Sequence, residues 1–271
     1  MKNNTVKRGF VDISEGQIHY RYKGDSSKPP LVLLHPGPTS SHSLIPLIDL
    51  LGEERFVVAP DILGMGDSAS PASSSPDVNY FSDAIFRTLD SLEIDSFDLW
   101  GCMTGAHCGI EMSLLQPKRV KRLYIEFIQF YDEKTQQALE KNHAPVIKLD
   151  LHGSQLNLLW HLARDQFIFF PWFERNKENA RPNGLPSARQ LHEKTVELLK
   201  SAETYHLSLN AALKYPTKEK LSQVKVPIFG PKELLTINSS AIARENFCVS
   251  PSTSTNEQVI NSAKEILKHL D

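Results

Sequence analysis

The chain has 271 residues, of which 40% are hydrophobic and 23% are charged, a balance typical of a globular protein with one large domain and an insertion. Its 30 basic and 32 acidic residues give a formal net charge of -2, which argues against nucleic acid or an anionic membrane as a partner. No stretch approaches the roughly 18 apolar residues of a membrane-spanning helix, and the N-terminus lacks the apolar segment of a signal peptide.

The three cysteines, Cys102, Cys108 and Cys248, are odd in number and lack the spacing of metal ligands, which favours free thiols in a reducing compartment. We therefore expect a cytoplasmic protein without a metal site or a cofactor. Its expected partner is a small-molecule ligand or substrate, and the sequence leaves a homodimer open.

The N-terminal part of the chain predicts the start of a sheet. Residues 10–13 and 17–22 are alternating runs around a short turn, which predicts a β-hairpin. Residues 31–34 are continuously apolar, as expected of a strand that is buried on both faces. A helix is predicted over residues 44–51, and residues 56–59 predict a second buried strand.

The same alternation continues to residue 130. Apolar residues recur at helical spacing over residues 79–92, which predicts a helix with one buried face. A strand and a helix follow over residues 97–115, and residues 120–130 are again apolar and rich in β-formers. Strands that alternate with helices of this length predict an α/β fold with a mostly parallel sheet, whose ligands gather at the carboxyl ends of the strands.

The rest of the chain departs from this rhythm. Residues 131–215 predict helices and aromatic clusters without a strand. Strand signals return briefly at residues 226–229 and 247–249, and an apolar stripe over residues 259–270 predicts a closing helix.

A strand-to-helix turn lies at Gly101-Cys102-Met103-Thr104-Gly105. In a Gly-x-Ser-x-Gly turn the two glycines let the chain turn so tightly that the middle side chain stands exposed above the sheet. A methionine in that place cannot form an acyl-enzyme by the route of a serine, because a thioether has no proton to lose.

Three loops in order resemble those of the α/β-hydrolase family. His35-Pro36-Gly37-Pro38 resembles its oxyanion loop, residues 61–68 resemble its Asp-x-x-Gly-x-Gly-x-Ser loop, and the turn over residues 101–105 resembles its nucleophile elbow. The resemblance implies the α/β-hydrolase fold, a mostly parallel central sheet flanked by helices. It divides the chain into a core of residues 1–130 and 216–271 and an inserted helical cap of residues 131–215.

The departures from the family concentrate in the catalytic triad. Met103 stands where the family has its nucleophile, and Glu233 lies near the usual position of the acid. The family histidine belongs between the last strand and the closing helix, but residues 250–256 contain none, and only His269 follows. Two independent losses predict a degenerate triad, so conventional serine hydrolysis is not expected.

Other parts of the family site are independent of the nucleophile. The resemblance assigns two oxyanion donors, the backbone amides of Gly37 and Thr104, which a side-chain substitution does not remove. These amides either hold a carbonyl or enolate oxygen or belong to an inherited loop that binds only water. His35 is expected to support the oxyanion loop, and Asp61 either organises its own loop or acts as a general base. Together with Glu233, they are the candidate catalytic residues.

The cap supplies candidate ligand-binding residues, because a cap of this family closes over the strand ends. Pockets of this kind are mostly apolar with a few fixed polar groups. Arg164 either orients a carboxylate or phenolate or pairs with Asp165. The candidate substrate-binding residues are His152, Trp160, His161, Arg164, Phe170 and Trp172.

Two kinds of function fit these observations. The first is an enzyme that needs no cofactor and forms no covalent acyl intermediate, and that carries out an isomerisation, elimination, cyclisation or C–C bond lysis on a small apolar carbonyl compound. The second is a catalytically silent member of the fold that binds a small molecule or a partner protein. A partner-binding role predicts a large exposed apolar patch on the cap.

Overall fold

A central sheet organises the chain, and the computed structural model describes it over residues 5–182, 184–230 and 256–270. The strands are β1 (Lys7–Ile13), β2 (Gly16–Lys23), β3 (Pro30–Leu34), β4 (Phe56–Pro60), β5 (Phe97–Cys102), β6 (Val120–Phe127) and β7 (Ile228–Phe229). They lie in the order β1-β2-β4-β3-β5-β6-β7. The hairpin of β1 and β2 is antiparallel, β2 is antiparallel to β4, and the remaining strands are parallel.

Helices alternate with the parallel strands, and helices also make up most of residues 131–215, the segment called the cap below. They are a short 3-10 helix (Ser41–Leu44), α1 (Ile45–Leu51), α2 (Val78–Ser91), α3 (Thr104–Leu115), α4 (Glu133–Asn142), α5 (Ser154–Ile168), α6 (Ala188–Lys200), α7 (Tyr205–Lys214), α8 (Thr217–Gln223) and α9 (Asn256–Leu270). None of these described helices is long and apolar enough to cross a membrane.

The sheet is covered on both faces, which explains why its inner strands are uniformly apolar. On one face, Leu31 and Leu33 pack with the apolar sides of α1 and α9. On the other face, Val32 and Leu34 pack with α2, α3 and the apolar side of the cap. All four side chains are fully buried, and each stabilises the fold by roughly 1.5–3 kcal/mol relative to an exposed position.

The structure confirms the apolar stripe predicted for the closing helix. Val259, Ala263, Ile266 and Leu270 are all buried, and they lie on one face of α9 because of their helical spacing. This face completes the layer against β3 and β5. The N-terminal hairpin is likewise confirmed.

The segment between β6 and α8 contains α4, α5, α6 and α7. Its one described strand pairing is an isolated bridge between Phe169 and Ala180. Hydrogen bonds tie the segment to core loops, among them those from Lys194 Nζ to Pro38 O, from Thr204 Oγ1 to Gly64 O and from the Ser40 amide to Glu197 Oε1. The segment therefore lies over the loops that follow β3 and β4.

Some predicted strands have different ends in the structure, and other predictions concern residues that the structure does not describe. β6 stops at Phe127 rather than at residue 130, and β7 has two residues rather than four. The strand predicted at residues 247–249 and the candidate acid Glu233 lie outside the described residues.

Candidate functional site

The turn between β5 and α3 holds Met103 in a rare backbone conformation, with φ 49° and ψ -114°. A residue other than glycine seldom has a positive φ, and such backbone strain persists only where the surrounding structure fixes it. Here a Cβ on Gly105 would lie 2.1 Å from Leu34 O, and a Cβ on Gly101 would lie 2.6 Å from Gly105 O. Both glycines are therefore required by close backbone approach, and the elbow geometry survives without its nucleophile.

The loop after β3 approaches the start of α3. A Cβ on Gly37 would lie 2.8 Å from Thr104 Oγ1, so the two residues nearly touch. The amide of Thr104 is in the first turn of α3 and has no acceptor within that helix. Within the described chain, the backbone hydrogen bonds of loops and turns include no acceptor for the Gly37 or Thr104 amide. Neither amide is therefore committed to a described backbone acceptor.

His35 lies beneath this loop and is fully buried. Its Nε2 accepts the Ile62 N–H at 3.0 Å, so Nδ1 carries the proton and donates to Pro36 O at 3.1 Å. Burial lowers the pKa of the imidazole, which keeps the ring neutral. Because both ring nitrogens bind backbone, His35 supports the loop. The catalytic role proposed for it does not fit this geometry.

Both carboxylate oxygens of Asp61 are also occupied by hydrogen bonds within the protein. Its Oδ1 accepts the Ser41 N–H at 2.7 Å, and its Oδ2 lies 2.8 Å from His19 Nδ1 and 3.1 Å from the Asp67 N–H donor. Burial raises the pKa of the carboxyl, but the hydrogen bonds from His19 and Ser41 outweigh it and lower the pKa to about 2. So weak a base, 1% exposed, organises its loop and does not fit the general-base role.

One group of described side chains has the donor atoms of a metal site. Ligand atoms of His19, Asp61 and Asp67 all lie within 4.8 Å of one another. His19 Nε2 already accepts from Arg8 Nε, and Asp67 is ion-paired with Arg8 and Lys200. The two cations and the hydrogen bonds therefore compensate the negative charge of the two carboxylates, and we interpret the cluster as a structural network.

A cavity of about 90 Å³ lies between the loop after β3 and the cap. Its core side is formed by Pro36, Gly37, Pro38, Thr39, His42 and Met103. Its cap side is formed by His143, Gln166, Phe167, Phe169, Phe170, Trp172, Arg181, Gln190, Glu193, Lys194 and Glu197. Phe170 and Trp172, two of the predicted substrate-binding residues, line this cavity.

Two ionisable side chains of α6 face the core across this cavity. Lys194 Nζ donates to Pro38 O at 2.7 Å, and burial lowers the pKa of its ammonium to about 8. Glu197 Oε1 accepts hydrogen bonds from the Ser40 backbone amide at 3.0 Å and from the Ser40 hydroxyl. Burial raises the pKa of this carboxyl. Both pKa values therefore move toward neutrality, as they do in acid–base sites.

The aromatic wall centres on Phe170. Tyr131 stacks on its ring at 6.3 Å between centroids, and the Arg181 guanidinium lies 5.1 Å from the ring centroid. The imidazole of His143 meets the same ring edge-on. Burial lowers the pKa of His143 to about 4, and in the described residues its buried Nδ1 has no hydrogen-bond partner.

A wider cleft of about 610 Å³ adjoins the cavity, and both share Met103 and His143 as lining residues. In this cleft His107 Nδ1 lies 2.8 Å from Met103 O. Because a carbonyl oxygen can only accept a hydrogen bond, Nδ1 carries the proton and donates it. Burial lowers the pKa of His107 to about 4, so its ring is neutral. Met103 therefore lines both the cavity and the wider cleft.

Four of the expected cap residues lie elsewhere. Trp160 is 40% exposed, His152 is exposed on a turn, and neither His161 nor Arg164 lines the cavity. Arg164 instead pairs with buried Asp165 at 2.9 Å between Nε and Oδ1. The structure places these four residues outside the cavity, whose cap wall comes mainly from the end of α5, the loop after it, and α6.

The cavity residues that the sequence did not single out come mainly from α6. Gln190, Glu193, Lys194 and Glu197 all line the cavity and recur at the i, i+3, i+4, i+7 spacing that puts side chains on one face of a helix. A polar stripe of this kind looks like an ordinary solvated face until a partner surface covers it. His42, His143 and Arg181 were missed because their sequence context carries no motif.

A family model described as alpha/beta hydrolase fold matches residues 29–141. A 2-hydroxymuconate semialdehyde hydrolase of Pseudomonas sp. (strain CF600) is 33% identical over 99 residues, which are 35% of each chain. An uncharacterized hydrolase, YNR064C, of Saccharomyces cerevisiae is 28% identical over 134 residues, 49% of this chain and 46% of that protein. The match thus spans less than half the length of these two relatives.

Solved structures extend the likeness to nearly the whole chain. The epoxide hydrolase VrEH1 of Vigna radiata superposes with a TM-score of 0.68 at 19% identity, over 97% of this chain and 98% of that one. Epoxide hydrolase A of Mycobacterium thermoresistibile gives a TM-score of 0.62 at 18% identity, over 83% and 82% of the two chains. At these identities the likeness concerns the fold.

Proposed function

The chain belongs to the α/β-hydrolase fold superfamily, and from this premise we propose that it is an enzyme acting on a small, apolar, carbonyl-bearing molecule without an acyl-enzyme intermediate. The reaction is a proton transfer next to the carbonyl group, the step shared by isomerisation, elimination, cyclisation and C–C bond lysis through an enolate. The protein's own residues supply the chemistry, in the cavity between core and cap.

The observation that carries this proposal is the composition of the cavity. Met103 replaces the nucleophile with an apolar floor, while Gly37 and the start of α3 keep their close approach. Backbone amides aimed at a developing oxyanion are among the largest contributors to catalysis in this kind of site. An oxyanion site without a nucleophile suits the stabilisation of an enolate.

Acid–base groups complete the proposed machinery. Lys194 and Glu197 line the same cavity, one with a pKa lowered to about 8 and one with a raised pKa. A general acid or base works best when its pKa lies near the working pH, and each typically contributes about 10²-fold to 10⁴-fold. The Glu197 carboxylate is the proposed base and the Lys194 ammonium the proposed acid.

The names of the relatives agree with a carbonyl substrate only in part. The relatives carry the names of hydrolases, and the name of one includes a semialdehyde. Hydrolysis by an acyl-enzyme would need a nucleophile and a histidine that this sequence lacks at the family positions. The proposal therefore keeps the substrate class and changes the reaction.

Deuterium exchange at carbon tests this function. Small aldehydes and ketones are incubated with the protein in D₂O, and deuterium next to the carbonyl is measured by NMR. Gly37→Ala places a Cβ 2.8 Å from Thr104 Oγ1 and is expected to slow exchange by about 10²-fold or more. The exposed Lys200→Met on α6 is the control. Absence of exchange, together with burst hydrolysis of a p-nitrophenyl ester, would contradict the proposal.

One observation favours a second candidate function, a catalytically silent protein that binds a partner. Large apolar side chains between residues 146 and 160 are exposed, namely Val146, Leu149, Leu151, Leu156, Leu158 and Trp160. Exposed apolar patches mark interaction surfaces. Sedimentation of the wild type and of Leu156→Asp tests this candidate. If the protein is a silent binder, the wild type associates and the aspartate variant does not. Ligands bound in the cavity are then released chemically unchanged.

A further inference from the structure

We infer that Lys194 forms a covalent imine with the aldehyde or ketone group of the molecule bound in the cavity. This inference rests on the proposed function and deepens it, because Lys194 acts as the amine nucleophile in place of the acid and an enamine replaces the simple enolate. The carbonyl carbon becomes bonded to Nζ, and the substrate class narrows to aldehydes and ketones, whose carbonyl carbon can lose its oxygen as water.

The position of Nζ is the first support. Its hydrogen bond to Pro38 O at 2.7 Å holds the amine one residue from Gly37, at the edge of the oxyanion loop. An amine that donates one N–H to Pro38 O directs its lone pair away from that carbonyl. Because Lys194 lines the cavity, a bound carbonyl carbon can meet this lone pair.

The pairing of Lys194 is the second support. Lys200, six residues later on the same helix, is ion-paired with Asp67 and 45% exposed at its side chain. The ion pairs of the described residues include none for Lys194, and Glu197 directs Oε1 to Ser40. A lysine without a bound carboxylate, desolvated in an apolar pocket, is the form that acts as a nucleophile.

The protonation of Lys194 agrees with this geometry. Burial lowers the pKa of its amine from the model-peptide range to about 8, so the neutral form is accessible near neutral pH. An exposed lysine with an ordinary pKa of about 10.4 is almost entirely protonated there. At the same pH, Lys194 therefore presents far more free amine than the surface lysines.

The step balances as an addition followed by loss of water. The Nζ lone pair attacks the carbonyl carbon, the C–N bond forms, and the oxygen receives the Gly37 and Thr104 amide hydrogen bonds while it takes up a proton. The carbinolamine then breaks its C–O bond, and the hydroxyl leaves as water with a proton from Glu197. The nitrogen gives one of its two protons to the oxygen when the carbinolamine forms, and the iminium left by the departing water gives the other to Glu197. The net change is amine plus carbonyl giving imine plus water.

Glu197 is placed to carry that proton. It follows Lys194 by one helical turn, and Oε1 is held by Ser40. In the described part of the chain, Oε2 has no hydrogen-bond partner, so it can exchange a proton with the bound molecule. A proton next to the iminium carbon can leave by the same oxygen, which gives the enamine.

Reductive trapping tests the imine. The full chain is incubated with butanal and sodium cyanoborohydride, which reduces an imine to a stable secondary amine, and the alkylated lysine is located by peptide mass spectrometry. We expect one butyl group on Lys194, at least about tenfold faster than on Lys200 at pH 7, with a trapping rate that rises as the pH passes about 8. Alkylation spread over exposed lysines with Lys194 unmodified would overturn the inference.

Two variants keep the result interpretable. Lys194→Arg retains the cation and a donor for Pro38 O but cannot form an imine, and Lys194→Met removes both; thermal unfolding checks that each is folded. Both are expected to lose the adduct and to slow deuterium exchange by at least about 10²-fold. Undiminished exchange in folded Lys194→Arg would refute the imine while leaving the proposed function intact. Absence of exchange in the wild type, with Lys194 still trapped, would refute the function and retain the imine.

Discussion

The core half of the cavity is built from backbone geometry, whereas its cap half carries most of the ionisable side chains. On the core side, the elbow and the loop after β3 bring Gly37, Met103 and Thr104 together. On the cap side, α6 contributes Glu193, Lys194 and Glu197. The difference between the two halves is the basis of the proposed function, in which the acid–base groups come from the cap wall while the core supplies only backbone groups and an apolar floor.

The elbow itself is the strictest part of the core half. Gly105→Ala would put a Cβ 2.1 Å from Leu34 O, and backbone cannot yield as a side chain can. We expect a loss of about 3 kcal/mol in the free energy of unfolding, measured by urea denaturation. In Gly109→Ala, on the same helix, the close atom is the end of the Leu123 side chain, so the loss should stay below about 1 kcal/mol. Equal losses would contradict a backbone constraint at the elbow.

Substitution of Asp61 tests whether its ionised carboxylate stabilises the core half of the cavity. Its pKa is lowered to about 2, below the unfolded value of about 3.9, so ionised Asp61 stabilises the fold above that value by about 2 kcal/mol. This stabilisation is lost as the pH falls from about 4 to about 2. Asp61→Asn should therefore be less stable than the wild type at pH 6, and the difference should shrink at pH 2. A difference that does not depend on pH would count against the ionised network.

The next substitution asks whether the core half can regain its family chemistry. Met103→Ser restores a hydroxyl at the elbow, but His107 Nδ1 is committed to the residue 103 carbonyl, and His143 has no described partner for Nδ1 to orient it. We expect less than about a tenfold rise in p-nitrophenyl acetate hydrolysis, because an isolated triad member contributes little. A stoichiometric burst of p-nitrophenol would mean that a working base faces residue 103.

The smallest expected effect lies on the outer side of the cap. Trp160 is 40% exposed and does not line the cavity, so Trp160→Ala should leave deuterium exchange unchanged and alter stability by no more than about 0.5 kcal/mol. Trp172→Ala is the matched change inside the cavity, where the side chain is 7% exposed and its loss should cost several-fold in exchange. If the two variants behave alike, the cavity is assigned to the wrong side of the cap.

The sequence was sufficient for the core because its signals are local. The apolar run of β3, the glycines at 101 and 105, and the stripe of α9 each determine one element, and the structure contains all three. The cap was predicted less well because its pairings are long-range. Arg164 turns toward its neighbour Asp165, while Lys194 reaches Pro38, 156 residues away. Nothing near Lys194 in the sequence distinguishes it from an exposed lysine.

The most direct test of the account compares exchange in three proteins. Deuterium incorporation from D₂O next to the carbonyl of butanal is measured for the wild type, Met103→Ala and Lys194→Met under identical conditions. The account predicts that Met103→Ala stays within about tenfold of the wild type, while Lys194→Met loses at least about 10²-fold. The reverse order, with exchange lost in Met103→Ala and retained in Lys194→Met, would contradict the claim that the cap supplies the chemistry.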